Sequence, residues 1–368
     1  MNIVHFHNSL YIGGIDTFIR DLLNEMAKEH NITLCTFYSM NQHDGLLPTL
    51  ETSIKYMTLG NKRLSIFTKL KNLFKIPYLI NKGKFDIVHI HGAFNFYILA
   101  VLFLHKRVGF FYTIHSDAFM ENGPLSRKML WLKRYFFRKK YIVPITISKN
   151  SQKSFYALYG CESLLIENGI NPPLSIESST DAIRPYRYNK STKVFLHAGR
   201  ICKAKNQIVL CKVFERLIRA NYDVVLLIAG PQEDHEIYKN IVPFLSNRIV
   251  YIGPQSNIID YLAYADGMCL PSIYEGLPII LLESLALGCI PICSPVGGVP
   301  NVITNGSDGI VSLSSSEDDY YKSMCDFLNL DDKHINVMKL KCKETSDKYN
   351  IKVSAKKYLF SYQGKPVN

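Results

Sequence analysis

Short apolar runs alternate along this chain with longer segments whose apolar residues recur at helical spacing, the pattern of parallel strands joined by crossover helices. The first half places candidate strands at Ile3–His7, Ile32–Phe37, Ile87–Ile90, Phe110–Ile114, Ile142–Ile147 and Leu164–Ile166. The second half places them at Val194–Ala198, Val224–Ala229, Ile249–Ile252, Gly267–Leu270 and Ile290–Cys293. Between the halves, Asn171-Pro-Pro-Leu-Ser-Ile-Glu-Ser-Ser-Thr180 and the polar residues after it lack any period and form a Pro/Ser-rich linker. The pattern predicts an α/β protein of two doubly wound parallel-sheet domains, 1–170 and 191–345, joined by a linker over 171–190.

Length and composition agree with this picture. At 368 residues the chain exceeds one ordinary core, and 47% hydrophobic with 20% charged residues describes a folded globular protein. The longest apolar stretch, Phe96 to Leu104, is far shorter than the roughly 20 residues of a bilayer span. The nine cysteines form no C-x-x-C pair, so neither a disulfide framework nor a zinc site is expected, and a cytoplasmic location is. Charge adds an asymmetry. Residues 1–170 hold 21 of the 43 Lys and Arg against 11 of the 31 Asp and Glu; the remainder holds 22 against 20. The first domain is therefore expected to meet something anionic.

In open α/β sheets ligands bind beyond the carboxyl ends of strands, and the candidate residues fall there. Gly13-Gly14 follows the first strand and precedes a helix over about 16–29; a phosphate-approaching loop and a plain tight turn both fit. His115 ends the strand Phe110–Ile114, where an imidazole can donate to a sugar hydroxyl; a satisfied surface histidine is the competing reading. His89 and His91 lie two apart, hence on one strand face, but no third ligand is suggested and no metal is expected. Arg200 and Lys205 share the loop between Val194–Ala198 and a helix over about 206–220. Two such cations can neutralise a nucleotide diphosphate without a metal, and the absence of any D-x-D fits that chemistry; an exposed basic loop is the competing reading.

The segment Ser272-Ile-Tyr-Glu-Gly-Leu-Pro-Ile-Ile-Leu-Leu-Glu-Ser-Leu-Ala-Leu-Gly288 holds two acids in an otherwise apolar run. Pro278 suits the first helical position, which leaves Glu275 and Gly276 in the loop before it. Glu283 then lies roughly 7.5 Å further along the helix axis. Two carboxylates at different heights beside a helix start suit an elongated polyhydroxyl ligand with a central negative group. Pairing of Glu283 with a buried cation is the alternative.

Together these pieces resemble the family 4 retaining glycosyltransferases. The likeness rests on Glu275-x7-Glu283 within Tyr-Glu-Gly-Leu-Pro-x-x-Leu-Leu-Glu-Ser-Leu-Ala-x-Gly, with Gly13-Gly14, His115, Glu167-Asn-Gly-Ile170, Gly199-Arg200, Lys205-Asn206 and Gly297-Gly298 in order along the chain. The resemblance implies the GT-B fold, two Rossmann-like domains facing a cleft, with a last helix over about 346–368 packing back on the first domain. It implies a nucleotide-sugar donor, retention of anomeric configuration and no metal or other cofactor. Glu283 would bind ribose hydroxyls, and Glu275 would face the transferred hexose. Arg200 and Lys205 would hold the diphosphate, backbone at Gly276, Leu277, Pro278 and Ile279 would hold the sugar, His115 would position it, and Gly14 would close on the phosphate. Gly-Leu-Pro stands where many members have Gly-Phe-Gly, and Asn301 stands where an acid is frequent.

Leu125–Lys140 reads as a helix with an apolar stripe of Leu125, Met129, Leu132 and Phe136 opposite Arg127, Arg134 and Arg138. A second basic-apolar segment spans Lys62 to Lys84. Peripheral attachment to an anionic leaflet and a core helix with a solvated face both fit. A glycan acceptor, lipid-linked and serving a bacterial surface polysaccharide, is the resulting expectation. A soluble acceptor is the alternative, and nucleic acid is not expected because no recognised motif for it occurs.

Overall fold

The computed structural model describes residues 1–41, 44–61, 66–92, 97–121, 129–172 and 181–364. By internal contacts the chain forms one unit from 1–169 with 351–368 and a second from 170–350. Parts of the expected helix 125–140 (125–128), of the basic segment Lys62–Lys84 (62–65) and of the linker (173–180) lie outside the described residues.

The first unit runs β1 (Asn2–His7), α1 (Gly14–Met26), β2 (Asn31–Tyr38), β3 (Lys55–Asn61), α2 (Ile66–Gly83), β4 (Ile87–Ile90), α3 (Ile98–Leu104), β5 (Gly109–Ile114), α4 (Leu130–Arg138), β6 (Val143–Thr146), α5 (Lys149–Tyr159) and β7 (Leu164–Leu165). All its strand pairs are parallel, in the order β3-β2-β1-β4-β5-β6-β7. β3 was not expected from the apolar pattern. As an edge strand it has a single neighbour, and its Lys-Tyr-Met-Thr-Leu sequence carries no continuous apolar run.

Alternation along the strands assigns the two faces of this sheet different chemistry. Val4, Phe6, Cys35, Phe37, Val88, Ile90, Phe110 and Tyr112 enter one core with Ile76 and Ile80 of α2, Ala100 and Val101 of α3, Phe136 of α4 and Phe155 of α5. On the opposite parity stand His5, His7, His89 and Thr113, with His91 and His115 just beyond their strand ends.

The second unit runs β8 (Lys193–Ala198), α6 (Gln207–Arg219), β9 (Val224–Ala229), α7 (His235–Ile241), β10 (Ile249–Gly253), α8 (Ile258–Tyr264), β11 (Gly267–Leu270), α9 (Ile279–Leu287), β12 (Ile290–Cys293), α10 (Val299–Val302), β13 (Ile310–Val311), α11 (Glu317–Leu328) and α12 (Asp332–Ser346). Its strands are parallel in the order β10-β9-β8-β11-β12-β13. α9 is apolar on all sides because it is buried at six of nine positions, against α12 and the sheet. The chain ends in α13 (Ile351–Gln363), which packs on α1 of the first unit; Ser354 Oγ donates to Glu167 O at 2.8 Å.

Each sheet reverses its strand order once, between β1 and β4 and between β8 and β11. Doubly wound sheets bind ligands beyond the carboxyl ends of the strands at such a reversal.

Candidate functional site

The reversal point of the second sheet is flanked by the loops after β8 and after β11. Ile273 N donates to Ala204 O at 2.8 Å, and Asn206 Nδ2 donates to Pro271 O at 3.1 Å, which ties the two loops together. Asn206 holds φ +56°, a left-handed turn that ends the first loop and starts α6. Two glycines allow close approach here. A Cβ at Gly230 would lie 2.0 Å from Gly199 O, and one at Gly297 would lie 2.3 Å from Glu275 O.

Glu275 meets protein. Lys205 Nζ donates to its Oε1 at 2.6 Å, and Ser272 Oγ donates to the same atom at 2.6 Å. The two charged side chains are 16% and 11% exposed, so each supplies the compensation that the other's partial burial demands. Arg200 takes a different acid, Glu233, which lies after β9. The cations expected to converge are thus held by separate carboxylates. Both partners of Arg200–Glu233 are about half exposed, so that pair is easily exchanged for a ligand.

Gly276, Leu277, Pro278 and Ile279 are buried at the start of α9, where Gly298 N donates to Gly276 O at 2.6 Å. Pro278 stands one position before the helix, with φ −68° and ψ 126°, instead of opening it. Glu283 is half-buried in the middle of α9. A cavity of about 420 Å³ opens beside these loops, lined by Arg200, Lys203, Glu233, Asp234, His235 and Tyr274. His197 lies beneath them, fully buried in β8, its Nδ1 2.9 Å from Cys269 O and its Nε2 3.1 Å from Gln207 Nε2. Burial pushes its pKa down to about 4, so it is a neutral strut between β8 and β11. Ser272, His197 and Glu233 went unnoticed in the sequence; only Ser272, three residues before Glu275, sits within a recognisable motif.

Gly14 and His115 lie in the first unit. Gly14 opens α1, whose Asp16 carboxylate is 2.7 Å from His7 Nε2. His115 is 9% exposed and bonded within a group of histidines, which excludes the surface reading. Burial pushes the pKa of His5 and His115 down to about 3 and those of His89 and His91 well below the ordinary value, so all four are neutral near pH 7. His5, His89 and His91 each bring one nitrogen within 4.8 Å of the others. They are poorly arranged for a metal. His89 stacks face to face on His91, planes 7° apart, and its nitrogens already meet Thr113 Oγ1 at 2.7 Å and Tyr362 OH. Imidazole lone pairs lie in the ring plane, so stacked rings do not aim at one point.

The chain matches the description "Glycosyltransferase Family 4" over residues 12–173 and "Glycosyl transferases group 1" over 178–343. It is 24% identical over 297 residues to a UDP-Gal:α-D-GlcNAc-diphosphoundecaprenol α-1,3-galactosyltransferase of Escherichia coli, covering 77% of this chain and 76% of that one. It is 24% identical over 315 residues to an α-1,4-N-acetyl-D-galactosaminyltransferase of Campylobacter jejuni named for an undecaprenol-linked acceptor, covering 82% of each. Among solved structures, HepE of Anabaena in complex with UDP and glucose superposes with a TM-score of 0.79 at 16% identity, over 99% of this chain and 100% of that one. The chain belongs to the family 4 glycosyltransferases and has their two-domain GT-B fold.

Proposed function

We propose that this enzyme moves a hexose-type sugar from a nucleotide-diphosphate donor to a lipid-linked glycan in the synthesis of a bacterial surface polysaccharide. The observation that carries this reading is the gathering of Arg200, Lys205, Ser272 and Glu275 on the two loops at the reversal point of the second sheet. Arg200 exchanges Glu233 for the diphosphate, and Lys205 joins it. Glu275, relieved of Lys205, faces the sugar and steadies the positive charge developing at its anomeric carbon. Glu283 takes ribose hydroxyls, and the backbone of Gly276, Leu277, Pro278 and Ile279 takes the sugar and phosphate. His115 and Gly14 serve the sugar and phosphate from the first unit, a role that rests on the family resemblance. Charge neutralisation by two cations needs no metal, and transfer proceeds with retention.

The Escherichia coli and Campylobacter relatives are named for diphosphoundecaprenol and undecaprenol acceptors, which supports a lipid-linked acceptor here. The first unit supports it too. α2, α3, α4 and α5 cover one face of its sheet and contain no Asp or Glu, while Phe74, Phe103 and Trp131 stand 70%, 73% and 69% exposed among their lysines and arginines. This cationic, aromatic layer suits the cytoplasmic face of an anionic membrane. No helix among the described residues is long and apolar enough to cross one. Lys133, on the same helix as Trp131, is 3% exposed, with its Nζ 5.9 Å from the centre of the Tyr112 ring.

The central test is transfer from UDP-, GDP- and ADP-sugars to a prenyl-diphosphate-linked acceptor, with product anomers read by NMR and a chelator arm. One donor should support transfer in the presence of chelator, and Glu275→Gln should abolish it without loss of folding. Undiminished transfer by Glu275→Gln would overturn the reading. Vesicle co-sedimentation should show binding to anionic and not to neutral lipid.

A further inference from the structure

Three histidines of the first unit form a continuous hydrogen-bonded row across three adjacent strands. His5 Nδ1 is 3.0 Å from His91 Nε2, and His91 Nδ1 is 2.9 Å from His115 Nε2. The ring centroids are 5.3 Å and 5.2 Å apart, with planes 14° and 33° from parallel. Those separations equal the N···N distance plus about one ring radius at either end, so both bonds run edge to edge, as an imidazole N–H and lone pair require. The two outer atoms of the row, His5 Nε2 and His115 Nδ1, are buried and have no partner among the described residues.

A neutral imidazole carries one N–H, and that rule couples the three rings. If His5 carries its hydrogen on Nδ1, His91 Nε2 accepts, His91 carries its hydrogen on Nδ1, and His115 must do the same. If His115 carries its hydrogen on Nε2, the whole row reverses. Any mixed assignment sets two hydrogens or two lone pairs face to face and loses a bond. Two fully bonded states therefore exist, one with a free N–H on His115 Nδ1 and one with it on His5 Nε2. Either leaves one buried N–H unsatisfied, which is costly. A ligand oxygen at His115 removes that cost in the first state alone.

We propose that His5 and His91 are positioning residues that fix His115 as an Nδ1–H donor to an oxygen of the bound sugar. This rests on the reading that His115 meets the donor sugar. His91 is the necessary link, because it touches both neighbours; His5 ends the row and supplies the group that His91 Nε2 meets. His89 stays outside it, stacked on His91 and anchored to Thr113 and Tyr362.

The test uses full-length protein labelled with ¹⁵N-histidine, with UDP-, GDP- and ADP-sugars added in turn, and reads the protonated nitrogen of His115 by long-range ¹H–¹⁵N correlation. Wild type should show Nδ1–H. His91→Phe should give a mixture of tautomers and lower kcat about 10- to 100-fold at little change in donor KM. His91→Gln, whose amide can donate to His115 and accept from His5, should restore both. Nε2–H in the wild type, or an unchanged tautomer in His91→Phe, would overturn the proposal. If His115→Phe transfers normally, the assignment of His115 to the sugar fails, while the tautomer measurement still judges the row by itself.

Discussion

At the reversal point of the first sheet stand His5, His91 and His115; at that of the second stand Arg200, Lys205 and Glu275. The topology is alike and the chemistry is not. The first group is 0–9% exposed and neutral, which is how a close set of basic groups can be buried without counter-charges. The second keeps full charges because its loops pair each cation with a carboxylate and leave one pair half in water. Charge readiness for an anionic ligand thus belongs to the second unit, and a polar but uncharged wall belongs to the first.

Acid should separate the units most strongly. His5, His89, His91 and His115 have folded pKa values below the unfolded value of about 6.5, so the unfolded chain binds protons first. Stability is intact above pH 6.5 and is lost as pH falls below it, for His5 and His115 by about 1.4 kcal/mol each per pH unit towards about 3, with His89 and His91 acting in the same direction. The second unit has one such histidine, His197, whose window closes at about pH 4. Hydrogen exchange at pH 7.5 and pH 5 should show the first unit's β1, β4 and β5 losing protection well before β8 and β11. Equal loss in both sheets would break the comparison.

Next in size is the Lys205–Glu275 pair. Lys205→Met leaves Glu275 partly buried with Ser272 alone, which should cost about 3 kcal/mol in urea unfolding of the second unit. Lys205→Met with Glu275→Leu should recover most of it, because two apolar side chains then replace two charges. A double variant no more stable than the single would show that Lys205 is not Glu275's main support.

Much of this architecture is readable from the chain. The strands at both reversal points follow from their apolar runs, and Glu275, Arg200 and Lys205 are conspicuous as charges at strand ends. The pairing of Lys205 with Glu275 is not readable, because the partners are 70 residues apart and meet only when β8 and β11 become neighbours. The cluster of four histidines is half readable. His89 and His91 share a face by strand parity, but His5 and His115 join them through the order β1-β4-β5, which no local pattern specifies. β13 leaves no readable run, because Ile310-Val311 stands alone between Gly309 and Ser312, whereas β7 lies in the apolar Leu164-Leu-Ile166.

A smaller effect should come from the closing helix. Tyr362 OH bonds His89 Nδ1 in the buried space between α13 and the sheet. Tyr362→Phe leaves that nitrogen without its partner and should cost about 1–2 kcal/mol, read by urea unfolding at pH 7.5. Thr113→Val should behave similarly, since Thr113 serves the other nitrogen of His89.

The least costly change to folding should be the most informative about the second site. Arg200 and Glu233 are 59% and 49% exposed, and such pairs contribute roughly 0–1 kcal/mol. Arg200→Ala should therefore leave urea unfolding almost unchanged, in contrast to Lys205→Met. If Arg200 is the cation that leaves its carboxylate for the diphosphate, the same variant should weaken donor binding at least tenfold by calorimetry. Glu233→Gln should do the opposite and tighten it modestly, because it removes the competing acid. A stable Arg200→Ala with undiminished donor affinity would assign the diphosphate to Lys205 alone, and Arg200's share in holding it would fall.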